Sequence, residues 1–363
     1  MMFCMFIMMI STVAFNFWAV MQRNEYRYKA LVGLTIITSI LKPVSSIVAV
    51  LYFKNNKVLA RIVALTLTEL VVYAGLYIKI IKKGKVKYNK KYWKYALSFN
   101  IPLVPHFLSQ VILNHSDRIM IKQMVGYNMA GVYSLAYSLA MILTIINTSI
   151  MNAMRPWTFQ TLKKGEYRRV ETVGLCSLSI VGIANVLLIA FAPELVHIFS
   201  PSSYNGAIPL IAPITMGVFF AFMYNLFVDI QMNYEKTKSI MIVSMVCAVI
   251  NIFTNYIFID KYGYVAAAYT TLFSYMLMAV FHYYAMSYIL KKNKISNKIY
   301  HISKIIIITI LFLIVSIVMA LLSEFLFIRL LLMLIILLIT YFNLNKIKKY
   351  LMPIFNKKKN INY

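Results

Sequence analysis

Lys42 and Glu69 are the deepest charges in two apolar stretches, residues 30–53 and 58–81. Charges placed so deep usually face one another or a wet cavity. Two readings follow. In one, Lys42 and Glu69 neutralise each other. In the other, Lys42 faces a cavity and holds an anion. Arg61 lies eight residues before Glu69. On a helix that is nearly the same face, about 12 Å away, so Arg61 and Glu69 are also candidates for a gate or an ion pair. Asp117 and Arg118 are adjacent, and neighbours do not face each other on a helix. Each needs its own partner, in a structural ion pair or an outer gate; Arg118 is the second candidate for a cavity cation. Pro102 and Pro105 flank two residues and precede His106. Each proline removes a backbone donor, so the segment is either a hinge lining a cavity or a fixed kink. His106 serves as a hydrogen-bond partner between helices or as a proton relay.

The pattern is poor in other chemistry. Cys4, Cys176 and Cys247 are far apart inside apolar segments, so neither a disulfide framework nor a cysteine metal site follows. No His-Glu-x-x-His motif, nucleophile elbow or phosphate-cradling glycine loop occurs. The two closest acids, Glu166 and Glu171, are five positions apart. No metal and no cofactor is expected, and an enzyme is disfavoured.

These residues must be carried by membrane helices. The 363 residues are 61% hydrophobic and 13% charged, with a net charge of +27 and a mean hydropathy of +0.76. That excludes a soluble enzyme, a disordered chain and a disulfide scaffold. A membrane helix needs about 20 mostly apolar residues. Eleven such blocks occur, near 2–21, 30–53, 58–81, 96–116, 131–154, 172–192, 208–228, 239–259, 264–290, 305–322 and 325–344. The fold class is therefore all-α and polytopic. The longest interior polar segment, 155–171, leaves no room for an extramembrane domain.

Short basic runs separate the blocks, so the charge reads as topology and not as nucleic-acid binding. Alternate loops hold 29 of the Lys and Arg residues against 6 in the other set. The rule that basic loops stay inside places the first set, with loop 79–95 and the C-terminal tail, in the cytoplasm. Attraction of loop 79–95 to anionic lipid follows. Eleven spans then put the N-terminus outside, although Met1 opens directly into a span; helices upstream of Met1 are expected. Asn251 and Asn255 form an i, i+4 stripe suited to joining helices. Arg329 reads as a packing or lipid contact.

The stretch Trp93-Lys94-Tyr95 through Ile101-Pro102-Leu103-Val104-Pro105-His106, then Ser116-Asp117-Arg118 and Gly131-Val132-Tyr133-Ser134, resembles the Wzx-type polysaccharide flippases of the multidrug/oligosaccharidyl-lipid/polysaccharide exporter superfamily. Pro193-Glu194-Leu195-Val196-His197-Ile198-Phe199 is similar to that family's loop after its ninth helix. The resemblance implies a two-lobed MATE-like fold. It implies three regions: 1–95 as a partial N-terminal lobe, 96–290 as a six-helix lobe, and 291–363 as two extra helices with a basic tail. The proline-rich helix opens the second lobe as helix seven in that family and is span four here. The first three helices are therefore expected to be missing.

The function implied is flipping of undecaprenyl-diphosphate-linked oligosaccharide, for O-antigen or capsule, across the bacterial cytoplasmic membrane by alternating access. The partners implied are the lipid-linked oligosaccharide, membrane lipids and a polysaccharide polymerase complex. The rivals are a membrane-embedded polymerase or glycosyltransferase, and a drug exporter of the same superfamily.

Overall fold

The structure, a computed structural model, describes residues 1–53, 56–84, 88–295 and 299–355. Lys54, Lys85, Lys87, Lys298 and Lys357–Lys359, which entered the charge pattern, lie outside the described residues.

The described chain is helical throughout. It comprises α1 (Met2–Asn24), α2 (Tyr28–Tyr52), α3 (Lys57–Gly84), α4 (Lys90–Asn100), α5 (Leu103–Met124), α6 (Tyr127–Lys163) and α7 (Tyr167–Ala190). The short α8 (Ala192–Phe199) and a 3-10 turn lead to α9 (Ile208–Asn233), α10 (Thr237–Tyr262) and α11 (Tyr264–Lys292). The chain ends with α12 (Ile302–Leu321), α13 (Leu326–Phe342) and α14 (Leu344–Phe355). Ten of the described helical segments are long and apolar enough to cross a membrane. An eleventh counts if α13 and α14, bent by 55°, form one broken span. Every apolar block found in the sequence coincides with one of these segments.

The outward faces are apolar. Ile36, Ile40, Val44, Ile47 and Leu51 expose one stripe of α2, and Ile307, Ile310, Leu311 and Ile314 expose another on α12. In water such surfaces would drive association. In hydrocarbon they match the solvent, and helices satisfy their own backbone groups there. The protein is a multi-pass membrane protein.

The chain divides into two compact units, residues 1–94 and 95–363. In the first, α3 packs against both α1 and α2. Phe15 of α1 stacks on Tyr73 of α3 with ring centroids 4.8 Å apart.

The second unit is organised around α9, which packs on α6, α7, α11 and α12. Phe219 of α9 stacks on Phe312 of α12 at 3.8 Å. Gly182 of α7 leaves room for that stack, because a Cβ there would lie 3.4 Å from Phe219 and 3.5 Å from Phe312. One residue, Gly263, separates α10 from α11. Its φ of 70° is a left-handed conformation that glycine adopts without a Cβ penalty.

Two prolines break the span that carries α4 and α5. Pro102 has no N–H to offer the Ser98 carbonyl, and Pro105 has none for Ile101. The Ile101 carbonyl instead accepts from the Val104 N–H at 3.2 Å. Helix α4 ends at Asn100 and α5 restarts at Leu103.

Of the two readings of Arg329, a packing or a lipid contact, packing is the one observed. It is no lipid contact: the residue is 2% exposed and grips Glu194 with two hydrogen bonds, of 3.0 Å to Oε2 and 2.6 Å to Oε1. It also donates to the Ala190 carbonyl. Helix α13 packs on α7, which brings the guanidinium to the C-terminal end of α7, where unpaired carbonyls favour a cation. The hydrogen bonds from Arg329 hold the Glu194 carboxyl below the usual range. A depressed carboxylate stabilises the fold fully above the ordinary glutamate value of about 4.3, and that stability fades as pH falls through the depressed value. Thermal unfolding in detergent between pH 7 and pH 3 should show this acid-side loss, and Glu194→Gln should flatten it. At pH 7 Glu194→Ala should be the more damaging variant: both remove the counter-charge, but the Gln carbonyl oxygen can still accept from the buried guanidinium and Ala offers no acceptor.

Candidate functional site

Four inward-turned polar residues follow one another along α5 at spacings of four, four and three: His106, Gln110, Asn114 and Asp117. This spacing keeps them on one helical face. Each is met by a different neighbour. His106 Nδ1 lies 2.6 Å from Ser244 Oγ of α10. Gln110 Oε1 accepts from the Tyr224 hydroxyl of α9 at 2.9 Å. Asn114 Oδ1 accepts from Tyr137 of α6 at 2.8 Å and from Tyr275 of α11 at 2.9 Å. His106 thus sits where a hydrogen-bond partner between helices would sit.

Asp117 closes the row. It is 1% exposed and accepts three hydrogen bonds: 2.6 Å from Tyr133, 2.7 Å from Thr271 and 2.6 Å from Asn255. Among the described residues no cation lies at ion-pair distance from it. The ion-pair reading of Asp117 is therefore replaced by a hub of neutral donors. Asn251 donates to Thr271 at 3.1 Å, and Thr270 donates to Asn255. The two asparagines join α10 to α5 and α11, the packing role expected of their spacing.

Arg118 points elsewhere. Its Nη2 donates to the Asn114 carbonyl at 3.0 Å and lies 2.9 Å from His115 Nδ1. The guanidinium carbon sits 4.7 Å from the Tyr137 ring centroid, a cation–π arrangement.

Beside this row a cavity of about 250 Å³ opens between α5, α6, α9 and α11. Asn114, Tyr137, Asn147, Asn152, Asn225 and Arg155 are among its walls. Amides and phenols offer both donors and acceptors. Behind the wall, Arg155 Nε donates to Asp229 Oδ1 at 2.7 Å; the arginine side chain is 37% exposed and the aspartate 4%.

The other predicted residues belong to the first unit. Lys42 Nζ lies 2.6 Å from Glu69 Oε1, and Thr12 of α1 donates to Glu69 Oε2 at 3.2 Å. Lys42 also sits 5.8 Å from the Tyr73 ring. Glu69 thus ties α1, α2 and α3 together. Arg61 is exposed, and among the described residues no ion pair joins it to Glu69. Lys42 took that partner because α2 and α3 pack side by side at its level.

The sequence reading missed the Arg155–Asp229 pair and the cavity. A sequence separation of 74 hides the pair from any local pattern. The polar stripe on α5 was readable from its spacing, though only His106 and Asp117 had been singled out.

Known proteins can now be set beside this geometry. The family described as "polysaccharide biosynthesis protein" matches residues 1–162, and the family described as "MatE" matches residues 102–257. An uncharacterized membrane protein of Methanocaldococcus jannaschii is 24% identical over 239 residues, covering 63% of this chain and 47% of that protein. Lsg locus putative protein 1 of Haemophilus influenzae is 30% identical over 118 residues, covering 31% of this chain and 29% of that protein. The chain thus spans less than half the length of these two relatives. A crystal structure of a MATE mutant matches with a TM-score of 0.55 at 14% identity, over 70% of this chain and 63% of that one. Lipid II flippase MurJ, in an inward closed conformation, matches with a TM-score of 0.54 at 15% identity, over 85% of this chain and 67% of that one. The chain has a MATE-like fold. The two family matches support the multidrug/oligosaccharidyl-lipid/polysaccharide exporter superfamily.

Proposed function

We propose that the chain is part of a Wzx-type flippase that moves undecaprenyl-diphosphate-linked oligosaccharide, of the O-antigen or capsule kind, across a bacterial cytoplasmic membrane. The observation that carries this reading is a cavity whose wall sets four asparagines, Gln110 and three tyrosines among apolar side chains inside a membrane-spanning bundle. Sugars present many hydroxyls, and a site that recognises them needs paired donors and acceptors.

In this reading residues 1–95 form part of one lobe, residues 96–290 form a six-helix lobe, and residues 291–363 are accessory. Alternating access of the lobes carries the head group while the lipid tail stays in the bilayer. The break at Pro102 and Pro105 is the hinge. Lys42 and Arg118 are each, within its own unit, a candidate cation for an anionic head group, and Asp117, Glu69 and Arg61 are the gate candidates. His106 is the relay. A polysaccharide polymerase receives the product on the outer side.

Orientation is tested by reporter fusions at residues 90, 200 and 360. They should read cytoplasmic, external and cytoplasmic, and an external signal at 360 would reverse the assignment.

In a full-length protein expressed in a flippase-deficient strain, Asn225→Leu should lower surface polysaccharide several-fold at unchanged abundance, since a lost hydrogen bond costs about 0.5–1.5 kcal/mol. The MatE match over residues 102–257 keeps the drug-exporter reading as the rival. Efflux of a cationic dye without restored polysaccharide would favour that rival.

Lys42→Ala should lower abundance, because it strands Glu69 in the membrane interior. Adding Glu69→Gln should restore abundance but not export. If export also returns, Lys42 is only a counter-charge to Glu69.

A further inference from the structure

Arg155 is the one charged side chain among the described residues lining the cavity. Its counter-ion, Asp229, is not part of that wall and is only 4% exposed. The cation therefore faces the cavity, with the anion behind it. Their hydrogen bond runs through Nε, so it does not consume the Nη1–Nη2 edge of the guanidinium. That edge is the fork that matches phosphate oxygens two at a time.

The other cations proposed for an anion are more heavily engaged. Lys42 sits 2.6 Å from the Glu69 carboxylate. Arg118 is occupied by the Asn114 carbonyl, His115 and the Tyr137 ring. Burying the acid of an ion pair is costly and is seldom explained by stability alone. Placing one so that its cationic half forms part of a polar cavity wall is a means of orienting a charge.

We propose that Arg155 is the anion-holding residue of this cavity, positioned by Asp229, and that it takes a phosphate oxygen of a diphosphate while the neighbouring amides take sugar hydroxyls. This rests on the flippase reading above. It adds a polarity to the bound substrate: the diphosphate lies at the Arg155 end of α6, and the sugars extend past Asn152 and Asn147 toward Tyr137. Asp229 acts through Arg155 and is a positioning residue.

Trp157, two residues from Arg155 on α6, is not part of the cavity wall, so binding is read by isothermal titration calorimetry. The full chain in detergent is titrated with three probes: a polyprenyl-diphosphate disaccharide, the same disaccharide on a neutral polyprenyl ether, and inorganic pyrophosphate. The variant is the double substitution Arg155→Gln/Asp229→Asn, which removes both charges, keeps a hydrogen-bonded pair and avoids an unpaired buried acid. The diphosphate lipid and pyrophosphate should each lose about 10- to 100-fold in affinity, as expected for charge-assisted hydrogen bonds. The neutral glycolipid should change less than about twofold, within the spread expected where no partner is lost. Arg155→Lys should keep part of the affinity for both phosphates, since charge survives without the fork. Equal losses for charged and neutral probes would overturn the proposal and make the pair structural. So would unchanged binding of both phosphates. If the wild type binds the neutral glycolipid but neither phosphate, the anion role falls and the flippase reading stands. If it binds pyrophosphate through Arg155 but neither glycolipid, the anion site stands and the sugar reading falls. If it binds none of the three, both fall.

Discussion

A carboxylate taken out of water must have its lone pairs filled, and Asp117 has this need in its most acute form at 1% exposure. No lipid can supply a donor. Tyr133, Thr271 and Asn255 do so, from α6, α11 and α10. Satisfying one acid therefore fixes the rotation of four helices about their axes. If α10 turned by one residue, Asn255 would face away and the acid would be left partly bare. Apolar packing in a membrane gives little such specificity, because lipid tails are as apolar as leucine. The bulk of the unit, including the phenylalanine stack between α9 and α12, is compatible with many small shifts. The polar hub is compatible with very few.

The same physics explains how much of the structure could be read in advance. Spans were legible because a membrane imposes a length and a composition on each helix. Lys42 and Glu69 were legible as a pair because each is deep in its own span and adjacent spans pack side by side. Asp117 and Arg118 were legible as residues needing separate partners, from helix geometry alone. The identity of those partners was not. Tyr133 is 16 residues from Asp117 and Thr271 is 154; the first is a neighbour by helical hairpin and the second only by folding. Arg155 and Asp229 were hidden for another reason. Both fall at the ends of apolar blocks, where charges are counted as topology. Only the packing of α6 on α9 shows that one of them forms part of a cavity wall. Arg329 was legible as a packing or lipid contact, and docking of α13, which carries it to the end of α7, decides for packing.

The polar interior of the second unit is of two kinds, and the difference matters for what the unit can do. In the hub around Asp117 every acceptor of the acid is filled by protein, so little capacity remains for a ligand while the helices stay in place. In the cavity beside it, of about 250 Å³, amides, phenols and Arg155 stand among apolar side chains. Asn114 belongs to both, accepting from Tyr137 and Tyr275 while forming part of the cavity wall. Tyr137 also carries Arg118 on its face. A ligand that drew the Tyr137 hydroxyl away from Asn114 would disturb a side chain one helical turn from Asp117. The coupling runs through two hydrogen bonds and one helix face. It needs no long pathway, because the stripe on α5 places the binding wall and the hub on the same rigid element. The chain break at Ile101 and Pro102 sits at the start of that element. Movement of α5 as a body would carry Gln110, Asn114 and Asp117 together, so cavity shape and hub integrity would change in step.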